Sequence, residues 1–408
     1  MKVLLIHQTF VSTEQAGGTR HFELAGHCER QGIEFTIVTS NLTYLTGKDA
    51  SGSRGLVTEE RQGPVRILRA WTLATLHKSF VWRVFSFLSF MVTSVWAGLK
   101  AGPVDLVMGT SPPIFQALSS LLVAKLRRKP FLFEVRDLWP EFAIDIGILK
   151  NPLLISIARG LERFLYWQSD FLMVNSPAYR TYLVEKKGIA PEKVTLVANG
   201  VDPKMFDPES RGESFRRQWS LGDHFVATYA GAIGMANDIP NLLNAAAQLK
   251  DSAQIKILLV GAGKELEKMM KHSEEQNLDN VIFTGAVPKS EIPEVLAASD
   301  ACIATLKDIP MFKPTYPNKV FDYMAAGRPT VLGIDGVIRE VIEDSQAGIF
   351  VAPGNPDQLA NAIRRLADDR EECRAMGCRA REGVIRKFDR STQAEKFAQL
   401  LKEVGDRV

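Results

Sequence analysis

One segment of the sequence, residues 317–329, carries a lysine and an acid at helical spacing. Lys319 and Asp322 are three residues apart, which places both on one face of the start of a helix. An ammonium group there can neutralise a phosphate, and a carboxylate can accept two hydrogen bonds from the vicinal hydroxyls of a ribose. This spacing indicates nucleotide binding; a plain surface salt bridge between the two side chains is the alternative.

A second group of candidates consists of glycines that follow predicted strands. Gly231 follows one apolar run, Gly261 and Gly263 follow the next, and the loop Gly285-Ala286-Val287-Pro288 follows a third. Glycines at the carboxyl edge of a parallel sheet let a nucleotide approach the backbone. Each loop alone could be a tight turn, but their repetition favours a nucleotide-binding edge that includes Val287.

Near the amino terminus, Gly17 and Gly18 stand just before Arg20 and a predicted helix. Backbone amides at a glycine-rich helix start can approach an anion, and the positive end of the helix dipole favours it. The pattern is not GxGxxG, which counts against a dinucleotide-dependent redox enzyme. A turn with an ordinary N-cap is the alternative explanation.

The segment 134–141, Glu-Val-Arg-Asp-Leu-Trp-Pro-Glu, is rich in charge for the end of a buried strand. Active sites form where charged side chains follow the carboxyl ends of parallel strands. Arg136 and Asp137 are therefore candidate catalytic residues, although a structural ion pair between Arg136 and a carboxylate would also explain the arginine.

These candidates are distributed over alternating strand and helix patterns, which indicate an α/β protein whose parallel sheets are covered by helices. The turn-forming segment 199–203 divides the alternation into two series. We therefore predict two doubly wound, Rossmann-like domains, residues 1–200 and 201–388, that face each other across a cleft. A carboxyl-terminal helix within residues 389–408 is expected to pack back on the first domain. The predicted strands are Val3–His7, Glu34–Thr39, Val104–Met108, Phe131–Val135, Phe171–Asn175 and Val194–Val197, then Phe225–Ala230, Ile255–Val260, Val281–Thr284, Ala301–Ala304, Thr330–Gly333 and Gly348–Val351.

The 408 residues are 46% hydrophobic and 24% charged, an ordinary globular composition. Their net charge of +3 gives no argument for nucleic-acid binding. The charge is unevenly spread, because residues 1–200 contain 23 basic and 16 acidic residues (net +7) and the remainder has a net charge of −4. The four cysteines form no CxxC pair, which indicates buried thiols in a reducing compartment and neither disulfides nor a zinc site.

An uncharged stretch of 16 residues, Val84–Leu99, lies within a region, residues 45–130, that contains 12 basic and only four acidic residues. The stretch is shorter than the roughly 20 residues that span a bilayer. It is expected to be either a buried helix or a segment at an anionic membrane surface. The basic residues are Lys48, Arg54, Arg61, Arg66, Arg69, Lys78, Arg83, Lys100, Lys125, Arg127, Arg128 and Lys129, and the aromatic anchors are Trp71, Phe80, Trp82, Phe85, Phe87, Phe90 and Trp96.

Motifs along nearly the whole chain resemble those of retaining glycosyltransferases of family 4, which have the two-domain GT-B fold. These motifs are GGTRHFELA near the start, EVRDLWPE, NGVD at the linker, VGAG, TGAVPKSEIPEVLAASD and NKVFDYMAAGRPT. Within the family, the chain is most similar to the bacterial O-antigen and capsule enzymes typified by the N-acetyl-L-fucosamine transferases.

The resemblance implies roles for individual residues. Asp322 takes the place of the ribose-binding glutamate of the family's glutamate-x7-glutamate motif, and Pro314 stands where the first glutamate is expected. Segment 232–238 lacks the usual arginine and lysine for the donor diphosphate, which leaves Lys319, Arg20 and backbone amides. The implied donor-binding set is Gly17, Gly18, Arg20, Gly231, Gly261, Gly263, Val287, Tyr316, Asn318, Lys319 and Asp322. The implied catalytic set is Arg136, Asp137, Lys319 and Asp322, with Arg136 and Asp137 facing the sugars.

The implied activity is transfer of a sugar, with retention, from a UDP-sugar to a polyprenyl-diphosphate-linked saccharide. The enzyme is expected in the cytoplasm at the inner face of the cytoplasmic membrane, without a metal, a cofactor or a nucleic-acid partner. The expected sugar is an N-acetylated hexosamine or 6-deoxyhexosamine. A UDP-sugar 2-epimerase of the same fold is the alternative enzyme, although it has no use for the apolar, basic region. A hinged solute-binding protein is the non-enzyme alternative, and the absence of a signal-peptide pattern argues against it.

Overall fold

The computed structural model of the protein describes residues 1–15, 17–42, 55–74 and 80–406, apart from the side chains of residues 80, 81 and 83. The chain forms two compact units, each built on one sheet. Unit 1 comprises most of residues 1–198 together with the last helix, and unit 2 comprises residues 199–390 with a short piece of the amino-terminal loop.

Unit 1 is built on an eight-stranded sheet with the strand order β3-β4-β2-β1-β5-β6-β7-β8. All its neighbouring strands are parallel except the β3–β4 pair, which is antiparallel. The central strands are buried along almost their whole length because helices cover both faces of the sheet. The strands are β1 (Lys2–Ile6), β2 (Glu34–Ser40), β3 (Val57–Gln62), β4 (Val65–Ala70), β5 (Leu106–Ser111), β6 (Phe131–Val135), β7 (Phe171–Val174) and β8 (Val194–Leu196).

The helices of unit 1 fall on the two faces that right-handed crossovers dictate. The chain passes from β1 to β2 in one direction along the sheet, and from β4 to β5, β5 to β6 and β6 to β7 in the other. The first helix therefore covers one face, and the second, third and fifth cover the opposite face. The helices are α1 (Arg20–Glu29), α2 (Phe80–Lys100), α3 (Phe115–Arg127), α4 (Glu141–Asp145), α5 (Pro152–Gln168) and α6 (Pro177–Thr181).

Unit 2 is built on a six-stranded, wholly parallel sheet with the order β11-β10-β9-β12-β13-β14. Its strands are β9 (Phe225–Ala230), β10 (Ile255–Val260), β11 (Val281–Gly285), β12 (Ala301–Thr305), β13 (Thr330–Gly333) and β14 (Gly348–Phe350). Its helices are α7 (Glu213–Gln218), α8 (Ile239–Gln248), α9 (Leu266–Glu275), α10 (Ile292–Ala297), α11 (Asn318–Ala325), α12 (Val337–Asp344), α13 (Pro356–Asp368) and α14 (Arg370–Phe388).

The last helix, α15 (Arg390–Asp406), is part of the core of unit 1. Phe397 is buried against Phe35 of β2, with 6.0 Å between the ring centroids. Val3 and Leu5 of β1 belong to the same apolar cluster. The two ends of the chain therefore share one hydrophobic core.

The prediction of two doubly wound, parallel-sheet domains is confirmed, and all twelve predicted strands are present. The β3–β4 hairpin was missed. Its turn is made at Gly63, which has φ +53°. The charged sequence of β3 is typical of a strand at the edge of a sheet, but it lacks the apolar run by which the other strands are recognised.

The cysteines are only partly as predicted. Cys28, Cys302 and Cys373 are buried free thiols, whereas Cys378 is exposed. The expectation of four buried thiols is therefore wrong for Cys378, because its position on α14 turns away from the core.

The uncharged stretch 84–99 lies within α2 and is neither wholly buried nor wholly exposed. Ser86, Phe90 and Ala97 are buried, whereas Phe85 and Trp96 are exposed. In the described ranges, no helix is long and apolar enough to cross a membrane. Of the predicted basic region, Lys48, Arg54 and Lys78 lie outside the described residues, as do the side chains of Phe80 and Arg83.

Candidate functional site

The glycine loops that follow β9, β10 and β11 pack against one another at the carboxyl edge of the unit 2 sheet. The Gly231 amide donates to the Val260 carbonyl at 2.9 Å, and the Gly261 amide donates to the Gly285 carbonyl at 2.8 Å. Gly261 has φ +146°, and a Cβ there would lie 1.8 Å from the Gly231 carbonyl oxygen. Only glycine therefore allows the two backbones to approach this closely. At Gly263 a Cβ would similarly lie 2.2 Å from the Ile233 carbonyl oxygen.

Lys319, in the first turn of α11, points at this glycine edge. Its Nζ donates to the Tyr229 hydroxyl at 2.7 Å and lies 3.4 Å from Asn237 Oδ1 and 4.0 Å from the centroid of the Tyr229 ring. A Cβ on Gly231 would lie 2.8 Å from the same Nζ. In the described part of the chain, no carboxylate lies within ion-pair distance of Lys319. Burial lowers the pKa of the Lys319 ammonium to about 7, so an anion at this edge would favour its charged form.

Two buried tyrosines hold α11 and its lysine against the end of β9. The Tyr323 hydroxyl accepts from the Ala230 amide at 2.8 Å and donates to the Ala230 carbonyl at 3.1 Å. The Tyr229 hydroxyl accepts from Lys319 and donates to the Ala232 carbonyl at 2.7 Å. Burial raises the pKa of Tyr229 far above its usual range, so the hydroxyl remains a neutral acceptor for the lysine.

Asp322 forms an ion pair with Lys289, from the loop after β11, at 2.5 Å between Oδ2 and Nζ. Both side chains are partly buried. Lys319 and Asp322 thus contact different partners, so the structure does not support the alternative of a simple surface salt bridge between them. Any ribose bound by Asp322 would share this carboxylate with Lys289.

Three further predicted donor residues of unit 2 have fewer contacts with the glycine edge than Lys319 has. Val287 is half-buried in the loop after β11, and Asn318 is exposed as the first residue of α11. The Tyr316 ring packs edge-on against Phe321 and Phe388, with centroid distances of 5.6 and 5.8 Å. Burial raises the pKa of the Tyr316 hydroxyl to about 12. These ring contacts indicate a structural role for Tyr316.

In unit 1, the predicted residues surround a buried carboxylate, Glu134, near the end of β6. Glu134 accepts hydrogen bonds from Arg20 Nε at 3.0 Å, His21 Nε2 at 2.5 Å and Thr110 Oγ1 at 2.8 Å. Burial alone would raise the pKa of this carboxyl, but the neighbouring His21 and Arg20 outweigh burial and hold the pKa well below its usual range. Glu134 is therefore a buried anion, neutralised from several sides.

The guanidinium nitrogens of Arg20 are occupied by hydrogen bonds within this network. Its two terminal nitrogens donate to the Ala198 and Val197 carbonyls at 2.9 and 2.7 Å, and the residue is only 2% exposed. A diphosphate would have to displace these bonds and would take from Glu134 its nearest cation. Arg20 is therefore paired within unit 1, and its contact with the donor stays a prediction. Gly17 and Gly18 do precede α1 as expected, and Gly17 packs against Val11.

Arg136 and Asp137 lie together just after β6, and both are partly exposed. Arg136 Nε donates to the Ser111 carbonyl at 2.9 Å, and Nη2 donates to His7 Nε2 at 3.0 Å. Because arginine only donates, His7 Nε2 is the acceptor. Burial lowers the pKa of His7 well below its usual value, which agrees with this neutral role. Arg136 Nε also lies 3.8 Å from Glu134, so the predicted structural ion pair is present, but it is long.

Burial raises the pKa of Asp137 to about 6, against the lowering effect of Arg136. Carboxyl groups with raised pKa values are characteristic of functional sites. The catalytic role of Asp137 stays a prediction, and this shift agrees with it.

Several polar residues of these two groups were not predicted. His7 and Thr110 lie at the carboxyl ends of β1 and β5, where the strand-end rule could have found them. His21 and Tyr229 sit beside predicted residues, whereas nothing in the local sequence distinguishes Lys289. In the residues that the structure describes, no three histidine, cysteine, aspartate or glutamate side chains are grouped as a metal site requires.

Two family models match the chain. The glycosyl transferase 4-like domain matches residues 16–200, and the glycosyl transferases group 1 domain matches residues 211–383. The probable glycosyltransferase WbjE of Pseudomonas aeruginosa is 26% identical over 72% of this chain and 73% of its own length. The putative colanic acid biosynthesis glycosyl transferase WcaI of Escherichia coli is 22% identical over 81% of this chain and 82% of its own.

Solved structures show the same fold along the whole chain. Sucrose-phosphate synthase from Thermosynechococcus elongatus superposes with a TM-score of 0.77 at 20% identity and covers 100% of both chains. Anabaena HepE, in complex with UDP-glucose, superposes with a TM-score of 0.75 at 17% identity and covers 99% of this chain and 100% of its own. The predicted GT-B fold is therefore confirmed, and the chain belongs to the GT-B glycosyltransferases of the group 1 kind.

Proposed function

We propose that this glycosyltransferase moves a sugar, with retention, from a UDP-linked donor to a lipid-linked saccharide. In this proposal unit 2 binds the nucleotide sugar and unit 1 receives the acceptor. The sugar is an N-acetylated hexosamine or a 6-deoxyhexosamine, and the product belongs to a surface polysaccharide such as O-antigen or capsule. The description of WcaI as a putative colanic acid biosynthesis glycosyl transferase supports the product class. The UDP-glucose bound in the HepE structure supports the donor class.

The observation that carries the proposal is the position of Lys319 over the glycine edge of unit 2. A partly buried lysine whose pKa is lowered by desolvation, and which has no carboxylate partner in the described chain, is costly to keep charged unless an anion joins it. Gly231 and Gly261 supply close-packed backbone beside it. A diphosphate provides the missing negative charge and fits a backbone edge that has no side chains to block it.

The chemistry proposed for this site needs no enzymic nucleophile. The bond between the anomeric carbon and the UDP phosphate oxygen breaks, and the acceptor oxygen bonds to the same carbon from the same face. The acceptor's proton passes to the departing phosphate oxygen, so the products are UDP and the glycoside. Lys319 stabilises the charge that develops on the leaving diphosphate. Asp322, held by Lys289, binds the ribose, and Arg136 and Asp137 act on the sugars without a bound metal.

The location proposed for this reaction is the inner face of the cytoplasmic membrane, where a polyprenyl-diphosphate-linked acceptor is anchored. The supporting observations are the net charge of +7 in residues 1–200 and the exposed aromatic residues of α2. Both suit an anionic lipid surface.

The proposal is tested by thermal shift with UDP-, GDP- and dTDP-sugars. A UDP-sugar is expected to raise the melting temperature, because ligand binding stabilises the folded state by mass action. In Lys319→Met the donor is expected to bind more weakly by about 1.5–3 kcal/mol, the range for hydrogen bonds to charged groups. Lys313→Met is the matched control, because Lys313 is an exposed lysine near α11 that pairs with Asp335.

Equal shifts in the Lys319→Met variant and the wild type would refute the diphosphate assignment. The 2-epimerase alternative is separated by incubating the protein with a UDP-N-acetylhexosamine and no acceptor. Accumulation of the 2-epimer, followed by NMR, would replace the transferase proposal. Unchanged nucleotide sugar, with transfer only when a lipid-linked saccharide is added, would support it.

A further inference from the structure

Three helices of unit 1 expose a continuous set of large apolar side chains. On α2 the exposed residues follow helical spacing, and Val92 at the centre is 74% exposed. The exposed apolar residues of α5 also follow helical spacing, and Trp167 is likewise 74% exposed. Monomeric soluble proteins rarely expose apolar surface on this scale without a partner. The set consists of Trp82, Phe85, Leu88, Val92, Trp96 and Leu99 on α2, Leu122 and Leu126 on α3, and Leu153, Leu154, Ile157, Phe164 and Trp167 on α5.

These helices lie side by side on one face of the sheet, with α3 in contact with both α2 and α5. The Arg127 side chain of α3 hydrogen-bonds to the carboxyl-terminal end of α2, donating to the Gly98 and Leu99 carbonyls at 3.0 and 2.6 Å. At Gly98 the helices approach so closely that a Cβ would lie 3.0 Å from Val123. The exposed apolar residues therefore form one surface, here called the α2–α3–α5 face.

The charges on this face have one sign. Helices α2 and α3 contain no acidic residue, and the only acid of α5, Glu162, is buried and pairs with Lys187 at 2.6 Å. Exposed cations lie near the carboxyl-terminal ends of α2 and α3, among them Lys100, Lys125 and Lys129. The Lys100 ammonium lies 4.1 Å from the centroid of the Trp96 ring. An apolar surface bordered by lysines, with tryptophans among them, matches the acyl-chain boundary and the anionic headgroups of a bilayer.

We propose that the α2–α3–α5 face is the surface by which this protein binds an anionic lipid bilayer, with α5 as an essential part of it. A second copy of the chain is a poorer occupant, because a two-fold dimer would place this basic face against itself. The inference deepens the proposed function, on which it rests for the membrane-linked acceptor. It adds the exposed apolar residues of α5, five of the thirteen on the face, which lie outside the predicted region 45–130.

The test measures cosedimentation of the full chain with vesicles that contain phosphatidylglycerol and phosphatidylcholine, compared with pure phosphatidylcholine. The wild type is expected to bind the anionic vesicles at least roughly tenfold more tightly. The Val92→Glu/Trp167→Glu variant, and Trp167→Glu alone, are expected to lose most of this binding. Ile385→Glu is the control, because Ile385 is an exposed apolar residue of α14 in unit 2.

The electrostatic part is tested with Lys125→Glu/Lys129→Glu, which is expected to weaken binding to anionic vesicles by at least roughly tenfold. Lys268→Glu/Lys271→Glu on α9 changes the net charge equally at exposed positions of unit 2 and is expected to have little effect. A UDP-sugar thermal shift on every variant reports folding and donor binding separately. If UDP-sugar binding is absent while vesicle binding behaves as stated, the proposed function is refuted, but the assignment of the α2–α3–α5 face as a membrane-binding surface is supported.

Three outcomes would overturn the inference. The first is vesicle binding that Trp167→Glu leaves unchanged, and the second is equal binding to neutral and anionic vesicles. The third is self-association, seen by sedimentation velocity and abolished by the same substitutions, without binding to either kind of vesicle.

Discussion

At the scale of single residues, the chemistry of this protein depends on which charges are already paired. Arg20 and Glu134 form an ion pair inside unit 1, where both side chains are almost fully buried. Lys319 is different, because its contacts are a tyrosine hydroxyl and an amide oxygen, and burial lowers its pKa to about 7. Near neutral pH a lysine in this state is only partly charged until an anion raises its pKa, so binding of the proposed diphosphate would be coupled to protonation.

This coupling predicts that a UDP-N-acetylhexosamine binds more weakly as the pH rises. A bound diphosphate raises the pKa of Lys319, so full affinity is present below about pH 7 and is lost above it. From pH 6 to pH 8.5 the affinity is expected to fall roughly 10- to 30-fold, if the bound lysine stays protonated throughout. Titration calorimetry in buffers of different ionisation enthalpy measures both the affinity and the proton uptake.

The control for this prediction is the Lys319→Met variant, which should bind weakly with no proton uptake at any pH in this range. A wild-type affinity that is flat from pH 6 to pH 8.5, with no buffer dependence of the heat, would show that Lys319 does not meet the diphosphate.

At the scale of elements, the glycine edge of unit 2 is a contact between two loops rather than a single motif. The loops after β9 and β10 meet backbone to backbone at Gly231 and Gly261, and α11 adds its lysine from a third direction. The spacing of these elements is set by the parallel pairing of β9 and β10, which brings their carboxyl ends level. A change in one loop is therefore transmitted directly to the other.

Gly261→Ala is expected to destabilise the protein by more than about 3 kcal/mol and to weaken donor binding, because its Cβ would overlap the Gly231 carbonyl. Gly285→Ala is the matched control: Gly285 has φ +77°, but its Cβ would meet no atom within 4 Å. That variant is expected to lose only about 1–2 kcal/mol, the cost of the left-handed backbone. Urea unfolding measures both values, and similar losses in the two variants would disprove the close loop contact.

At the scale of the whole molecule, the two units are not two consecutive pieces of chain. Helix α15 follows unit 2 in sequence, but its apolar side chains complete the core of unit 1. The stability of unit 1 therefore depends on residues that the chain reaches only at its end. Five of the six tryptophans, at positions 71, 82, 96, 139 and 167, belong to unit 1, so tryptophan fluorescence reports mainly on that unit.

Phe397→Ala is expected to cost about 3–5 kcal/mol of stability, the range for loss of a buried aromatic ring. Denaturation followed by tryptophan fluorescence should show the loss as a lower midpoint. Lys396→Ala, at an exposed position of the same helix, should change stability by less than about 0.5 kcal/mol. A wild-type midpoint in Phe397→Ala would mean that α15 contributes little to the core of unit 1.

The sequence by itself determined the features that depend on neighbours along the chain. Alternating apolar runs predicted all twelve parallel strands, glycine positions predicted the loops at the carboxyl edge of the unit 2 sheet, and helical spacing placed Lys319 at a helix start. The same local patterns missed the β3–β4 hairpin, because a charged edge strand has little apolar periodicity.

Only the tertiary structure decided which groups pair with which. Arg20 and Glu134 are 114 residues apart, and Lys289 and Asp322 are 33 apart. No periodicity connects such positions, because these contacts arise from the order of strands in each sheet. The exposed side of α2 and its continuation onto α5 were decided in the same way, since a helix buries the side that meets the sheet, and only the packed structure shows which side that is.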